Sequence, residues 1–222
     1  MAGSTRRCAL ASTTDTEVSV RRVTRRRTET RKRLLTAAYQ VFAEEGFGRA
    51  SVERVCERAG FTRGAFYSNF TSLDELFLAM WEQRSAAMIA GIRATLDGFS
   101  FDGVADIRAV IERLDRAVPI DEDWFRITAE FTSHALRTPG LRQVMAGREE
   151  AIVAALMPTI VDALARVGRT VADPVALGQA LVAAHDGTAV QVLMEPRSRT
   201  VRSRRTDLFC HIVLAYSTET EG

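Results

Sequence analysis

The stretch Ser51–Leu76, which reads SVERVCERAGFTRGAFYSNFTSLDEL, predicts two short helices, a tight turn between them and the start of a third helix. Ser51 is a favourable N-cap for the first helix, and the apolar residues after it recur at helical spacing: Val52, Val55, Cys56 and Ala59. Gly60 is the residue type that ends helices, and Thr62 is a second N-cap soon after it. A gap this short is typical of a helix-turn-helix, whose second helix lies across a DNA major groove.

The second helix, predicted over Arg63–Phe70, has residue types that suit close approach to DNA. Gly64 and Ala65 carry almost no side chain, and the free N–H groups at a helix N-terminus favour phosphate. A glycine inside a short helix costs about 1 kcal/mol of stability relative to alanine. The alternative interpretation, an ordinary pair of helices, does not explain why glycine stands at residue 64. The candidate DNA contacts are Arg49, Ser51, Thr62, Arg63, Gly64, Ala65, Tyr67, Ser68 and Asn69.

The run Gly60–Phe70, followed by Asp74-Glu75-Leu76, resembles the DNA-binding signature of tetracycline-repressor (TetR) type regulators. Upstream, Ala38–Phe47 is similar to the first helix of that family. The resemblance covers roughly residues 28–80 and implies a homodimeric transcriptional regulator, most often a repressor. It further implies that a small-molecule effector releases the protein from a near-palindromic double-stranded DNA operator.

Two positions depart from the family pattern. The family usually has histidine where Asn69 stands and lysine where Leu73 stands, and that lysine commonly touches a phosphate. Asn69 keeps a hydrogen-bond donor, whereas Leu73 has none. The side chain of Leu73 therefore cannot make the phosphate contact that the family's lysine makes.

Helix-favouring residues are plentiful and strand-favouring runs are scarce, so this chain of 222 residues is predicted to be all-α. Residues 28–72 are predicted to form an N-terminal three-helix helix-turn-helix DNA-binding domain. Residues 73–222 are predicted to form a larger C-terminal helical domain for ligand binding and dimerisation. The predicted helices outside the opening stretch cover residues 28–45, 73–97, 104–117, 121–137, 141–167, 174–194 and 205–217.

Charge is distributed unevenly along the chain, whose net charge is only +2. Residues 1–73 hold 14 Lys and Arg against 7 Asp and Glu, and residues 74–222 hold 16 against 21. A basic N-terminal part joined to an acidic remainder is typical of a polyanion-binding domain on a separate regulatory domain. Residues 1–27 are predicted to be a disordered basic arm, either contacting DNA phosphates or forming a solvated tail. The next basic residues, Arg31, Lys32 and Arg33, are also placed to meet phosphates.

The two C-terminal helices are predicted to form a dimer interface. Residues 174–194 are apolar or small around much of the predicted helix surface, and a monomer would leave such a surface exposed. A two-fold pairing of helices 174–194 and 205–217 with those of a second copy makes a four-helix bundle that buries it. The family resemblance implies the same arrangement.

No catalytic, metal-binding or cofactor-binding motif is found in the sequence. The three cysteines, Cys8, Cys56 and Cys210, are too scattered for a disulfide framework or a metal cluster. Candidate ligand-binding residues are aromatic, sulfur-containing or polar side chains of the central helices: Trp81, Met88, Trp124, Phe125, Thr128, Phe131, His134 and His185. The same side chains at helical spacing also suit an ordinary core. A helical enzyme with a C-terminal active site and a ligand-independent DNA-binding regulator remain as alternative functions.

No apolar run reaches the roughly 18 residues that a membrane-spanning helix needs. The N-terminal arginines are not followed by the apolar segment of a secretory signal. The sequence therefore predicts a cytoplasmic protein with no membrane partner.

Overall fold

A computed structural model describes the backbone of residues 11–98 and 107–220, and the side chains from residue 25 onward. Its helices are α1 (Ala11–Glu45), α2 (Val52–Ala59), α3 (Arg63–Tyr67), α4 (Leu73–Asp97), α5 (Ile107–Ala117), α6 (Glu122–Arg137), α7 (Pro139–Arg166), α8 (Pro174–Met194) and α9 (Arg199–Ala215). A short 3₁₀ helix covers Phe47–Arg49, and two short strands are β1 (Arg169–Val171) and β2 (Ser217–Glu219). The prediction of an all-α fold with a helix-turn-helix is confirmed.

The chain divides into two compact units, an N-terminal unit of Met1–Trp81 and a C-terminal unit of Glu82–Gly222. The division falls inside α4, whereas the domain boundary predicted from sequence lies at the start of that helix. Among the described residues, no helix is both long enough and apolar enough to cross a membrane.

The core of the N-terminal unit is made by apolar side chains from α1, α2, α3 and the first turns of α4. The rings of Phe42 and Phe47 lie 5.2 Å apart, and those of Phe47 and Phe77 lie 5.9 Å apart, both edge to face. Side chains that are almost fully buried include Leu34, Val41, Phe42, Val55, Phe66, Phe70, Leu76 and Phe77. Cys56 is also buried, and burial raises the pKa of its thiol, so it packs as the small hydrophobe that the sequence predicts.

The first helix is longer than predicted. Its backbone is helical from Ala11, although the sequence analysis placed the start near Thr28 and assigned residues 1–27 to a disordered arm. The segment 11–27 contains neither glycine nor proline, and extending an existing helix costs less than starting a new one. Residues 1–10 of the predicted arm, which include Cys8, lie outside the described part of the chain.

The C-terminal unit packs α7, α8 and α9 around a second apolar cluster made of Val153, Met157, Leu164, Leu177 and Val213. Gly178 brings α8 close to α7, since a Cβ at this position would lie 2.4 Å from Cγ1 of Val153. The strands β1 and β2 pair antiparallel with Thr170 opposite Thr218. They were not predicted, because a strand of three residues is too short to show a recognisable alternation of apolar and polar residues.

Other helix boundaries differ modestly from those predicted. α9 begins at Arg199 rather than near residue 205, because the Ser198 side chain caps it by accepting a hydrogen bond from the Val201 N–H. α7 begins at Pro139, the first helical position, where a proline lacks only an N–H that would be unpaired. Residues 104–106 of the predicted fifth helix lie outside the described residues.

Candidate DNA-binding site

Two N-caps and one left-handed glycine set the turn between α2 and α3. The Ser51 hydroxyl oxygen accepts a hydrogen bond from the Arg54 N–H at 3.3 Å, and that of Thr62 accepts from the Ala65 N–H at 3.2 Å. Gly60 has φ +69°, a conformation that favours glycine. Capping uses an oxygen lone pair and leaves the hydroxyl proton to donate, and the Ser51 hydroxyl donates its proton to the Glu53 carboxylate.

The surface of α3 separates into a buried face and an exposed face. Phe66 and Phe70 are buried in the core, whereas Arg63, Gly64 and Tyr67 are exposed, Tyr67 to 50%. α3 ends at Tyr67 rather than at Phe70, although the Phe70 N–H still donates to the Phe66 carbonyl at 2.9 Å. The helix therefore has a core face and an outward face, and it is shorter than predicted.

Gly64 is not required by the fold. A Cβ built at this residue would meet only the Thr62 hydroxyl oxygen, at 3.7 Å, which is ordinary van der Waals contact. Its φ is not in the left-handed region that favours glycine. Since alanine is the better helix former, nothing within the chain accounts for a glycine at this position.

Arg63 is held on the surface by neighbouring side chains. Its Nη1 lies 2.8 Å from Oε1 of Glu53 on α2, and its guanidinium lies 5.9 Å from the centroid of the Tyr67 ring. Exposed ion pairs of this kind are weak, so a base edge or a phosphate can compete with Glu53 for the guanidinium. Glu53 was not among the predicted site residues, because its proximity to Arg63 results from the α2–α3 turn and is not visible in the sequence.

Ser68 and Asn69 already use their predicted donors within α3. The Ser68 hydroxyl donates to the Gly64 carbonyl at 2.8 Å, and the Asn69 Nδ2 donates to the Ala65 carbonyl at 2.8 Å. Asn69 is half-buried, and its Oδ1 is buried without a hydrogen bond among the described residues. A DNA contact by the Ser68 hydroxyl proton therefore requires its internal hydrogen bond to break, whereas the Asn69 amide has a second N–H that can still donate.

The remaining predicted contact, Arg49, is exposed next to the N-terminus of α2, and its Nε donates to the Glu45 carbonyl at 2.6 Å. At the start of α4, Leu73 is half-buried and offers no donor. The Glu75 carboxylate caps this end by accepting from the Thr71 N–H at 2.6 Å, a hydrogen bond that lowers the pKa of Glu75. Among the predicted contacts, Arg49, Thr62 and Ser68 are exposed.

The predicted ligand-binding residues belong to both units of the chain. Trp81 ends the N-terminal unit, and the others belong to the C-terminal unit. On α6, the Thr128 hydroxyl donates to the carbonyls of Trp124 and Phe125, both at 2.9 Å. Phe131 is fully buried with its ring 5.9 Å from that of His134, whereas Met88, Trp124 and Phe125 are half-buried.

His185 belongs to a different set of side chains. Its Nδ1 lies 3.0 Å from Nη2 of Arg205 on α9, and Nε of Arg205 donates to Oδ1 of Asp115 on α5 at 3.0 Å. Burial, and then the Arg205 charge, lower the pKa of His185. Arg205 and Asp115 were not among the predicted residues, because they lie 90 residues apart in the sequence. Within the described residues, no group of three metal-ligating side chains comes together.

Comparisons with known proteins agree with the helix-turn-helix geometry. The family model for bacterial regulatory proteins of the tetR family matches residues 34–80, and the model for the C-terminal domain of BetI-type transcriptional repressors matches residues 104–214. The transcriptional activator FasR of Mycolicibacterium smegmatis is 30% identical over 104 residues, 47% of this chain and 47% of its own. The transcriptional repressor AcnR of Corynebacterium efficiens is 29% identical over 113 residues, 50% of this chain and 54% of its own.

Among solved structures, the multidrug binding protein EbrR complexed with imidazole is 25% identical, with a TM-score of 0.58 over 83% of this chain and 89% of that one. The present chain spans about half the length of the curated relatives it matches. The curated relatives carry helix-turn-helix transcriptional regulator names, which include both an activator and a repressor.

Proposed function

Since this chain belongs to the TetR family of transcriptional regulators, we propose that it binds a near-palindromic double-stranded DNA operator as a homodimer and responds to a small-molecule effector. The observation that carries the proposal is the outward face of α3, where Gly64 has no role in the fold. Such a regulator acts on chromosomal DNA in the cytoplasm and performs no catalysis.

The proposed contacts follow from the geometry of α2 and α3. The N-terminal ends of both helices present free N–H groups and a capping hydroxyl, which suit phosphate oxygens. Arg63 and Tyr67 extend from the exposed face of α3 and can reach base edges in a major groove. In a two-fold dimer, the two α3 helices enter grooves about 34–36 Å apart, or a multiple of this, so the operator is near-palindromic.

Selection of bound sequences from random double-stranded DNA tests the DNA-binding proposal. The wild type is expected to recover a near-palindrome, and the variant Arg63→Ala/Tyr67→Ala to lose it, since each lost base contact costs about 1–3 kcal/mol. The matched control Arg126→Ala removes an exposed arginine of α6 and should leave selection unchanged. Failure of the wild type to recover any motif, or equal recovery by the double variant, contradicts the proposal.

The dimer is proposed to form through the exposed faces of α8 and α9. Val175 and Met194 on α8 are 60% and 78% exposed, and Leu208 and Leu214 on α9 are also exposed. Near the middle of α8, a Cβ at Gly187 would meet nothing within 4 Å, although glycine costs stability inside a helix. A second copy that packs closely at Gly187 covers this apolar surface and accounts for the glycine.

Gly187→Leu is expected to convert the dimer to a monomer while leaving the protomer folded, because the added side chain fills the space that the second copy occupies. Light scattering after size-exclusion chromatography measures the oligomer, and circular dichroism checks the fold. Gly147→Leu is the control, since Gly147 also has nothing within 4 Å but lies on α7. A Gly187→Leu protein that remains fully dimeric would show that this face is not the interface.

The effector is proposed to bind the C-terminal unit. The structure of EbrR complexed with imidazole supports ligand binding by proteins of this fold. Candidate contacts are the predicted residues of that unit: Met88, Trp124, Phe125, Thr128, Phe131, His134 and His185. To change operator affinity a hundredfold, the effector must prefer one conformation by about 2.7 kcal/mol. The names of FasR and AcnR do not favour activation over repression, so the effector can either release or strengthen DNA binding.

A further inference from the structure

Three arginines of α1 bind helix ends in the helix-turn-helix. Nη1 of Arg31 donates to the Asn69 carbonyl at 3.1 Å, and Nη2 of Arg27 lies 3.4 Å from the Ser68 carbonyl. Nη2 of Arg33 donates to the Ala59 carbonyl, in the last turn of α2, at 2.7 Å. Carbonyls at a helix C-terminus lack intrahelical partners and carry partial negative charge, so a guanidinium satisfies both their hydrogen bonds and their charge.

Arg31 is also fixed by an aromatic ring. Its guanidinium carbon lies 4.2 Å from the centroid of the buried Phe70 ring, which follows Asn69 in the chain. One edge of the guanidinium is therefore occupied by a carbonyl and one face by a ring, and the side chain is half-buried. These two contacts fix the position of the guanidinium relative to the turn after α3 and leave a DNA phosphate only its remaining N–H donors.

The helix α3 needs support at both ends because its five residues are too few to be stable alone. Thr62 supplies the N-cap, and Arg31 holds the turn after the C-terminus. Between these supports lie Gly64 and Tyr67 on the exposed face. A small tilt of α3 would therefore displace both from the positions that a groove requires.

We propose that Arg31 is a positioning residue for α3 that fixes the helix through the Asn69 carbonyl and the Phe70 ring and does not neutralise a DNA phosphate. This inference rests on the proposed DNA-binding function. It differs from the prediction that Arg31, as part of the basic segment 31–33, is placed to meet phosphates. Lys32 between the two arginines is exposed and remains the candidate for that role.

The salt dependence of operator binding separates the two roles. Loss of one phosphate contact reduces the slope of log K against log salt concentration by about 0.9, whereas misplacing α3 weakens binding without changing the slope. The test uses full-length protein and the selected operator, with the variants Arg31→Lys, Arg31→Ala and, as the matched control, Lys32→Ala. Lysine keeps the charge but cannot reproduce the planar stacking and forked hydrogen bonding of arginine.

Arg31→Lys is expected to bind the operator about tenfold more weakly with the wild-type slope, the loss expected when one base contact of α3 is misplaced. It should also discriminate less well against an operator altered at one base pair, and Arg31→Ala should show the same pattern with a larger loss. Wild-type binding by Arg31→Lys, with a slope reduced by about one in Arg31→Ala, would overturn the proposal and assign Arg31 to a phosphate.

Hydrogen exchange of the free protein tests the inference without DNA. In Arg31→Lys, the amides of Ser68, Asn69 and Phe70 should exchange faster than in the wild type, while the amides of α2 exchange as before. Unchanged exchange at all these amides would overturn the positioning role. If instead the wild type selects no DNA sequence but this exchange pattern appears, the proposed function fails and the role of Arg31 in holding α3 stands.

Discussion

Replacing Gly64 by alanine should stabilise the free protein and weaken operator binding, two effects of opposite sign from one methyl group. The stabilisation should be about 1 kcal/mol, the difference between glycine and alanine within a helix. Operator affinity should fall about tenfold, which corresponds to about 1.4 kcal/mol. Gly64→Leu should bind more weakly still, because a larger side chain keeps the backbone of α3 further from the groove.

The opposite signs follow from the surroundings of Gly64. A Cβ at this residue would lie 3.7 Å from the Thr62 hydroxyl oxygen, so the chain accommodates it without adjustment. Gly178 is the contrasting case, since a Cβ there would lie 2.4 Å from Val153. Internal packing therefore explains Gly178. Only a partner outside the chain explains Gly64.

Thermal unfolding and operator binding by fluorescence anisotropy measure the two effects of Gly64→Ala. Gly147→Ala is the matched control, because Gly147 is an exposed helical glycine with nothing within 4 Å on α7. The control should gain stability and keep wild-type operator affinity. Wild-type affinity in Gly64→Ala would mean that the N-terminal end of α3 does not approach DNA closely.

Local features of the helix-turn-helix were predictable from sequence because they act over three or four residues. Ser51 and Thr62 cap the helices that follow them, and Gly60 takes the left-handed conformation between them. The predicted start of α8 at residue 174 agrees with the structure, where the Asp173 side chain caps the helix and Pro174 is its first residue. Each of these depends on neighbouring backbone groups, so the sequence contains the whole interaction.

The roles of charged side chains were less predictable because they depend on how helices pack. Arg31 and Asn69 are 38 residues apart, and only the packing of α1 against the turn after α3 brings them together. From sequence, Arg31 and Arg33 were simply cations on a basic helix and were assigned to phosphates. Asn69 was likewise predicted as a donor to DNA, since the hydrogen bond to the Ala65 carbonyl was not visible from residue type alone.

Arg205 in the C-terminal unit is the second position where a large effect is expected. Its side chain is only 6% exposed, and its Nη1 donates to the Thr188 hydroxyl and to the His185 carbonyl. Its Nε donates to Asp115, whose side chain is 30% exposed. The cluster therefore ties α5, α8 and α9 together through one buried cation.

Arg205→Met should reduce the free energy of unfolding by about 3 kcal/mol, because it leaves the Asp115 carboxylate and the Thr188 hydroxyl without their cation. Arg126→Met is the control: it breaks the exposed ion pair with Asp123 and should leave the free energy of unfolding close to that of the wild type. Denaturant unfolding at one fixed protein concentration measures both, since the proposed dimerisation would make stability depend on concentration. A loss as small as that of the control would show that the buried cluster contributes little.

A second variant separates the lost charge pair from lost packing. Arg205→Met/Asp115→Leu removes both ions, so no carboxylate is left without its partner, and it should recover roughly half of the stability that the single variant loses. Equal instability of the single and double variants would assign the loss to packing instead.

The protonation of His185 gives the same cluster a pH dependence. Because Arg205 only donates, Nδ1 of His185 must accept, which requires a neutral imidazole with its proton on Nε2. Burial first, then Arg205, lower the pKa of His185, whereas Asp186 and Asp115 act in the opposite direction. His185 therefore binds a proton more readily in the unfolded chain than in the folded one. The free energy of unfolding decreases as the pH falls below the unfolded pKa near 6.5. Arg205→Met removes one cause of the lowered pKa, so its stability should fall less steeply between pH 7 and pH 5 than that of the wild type.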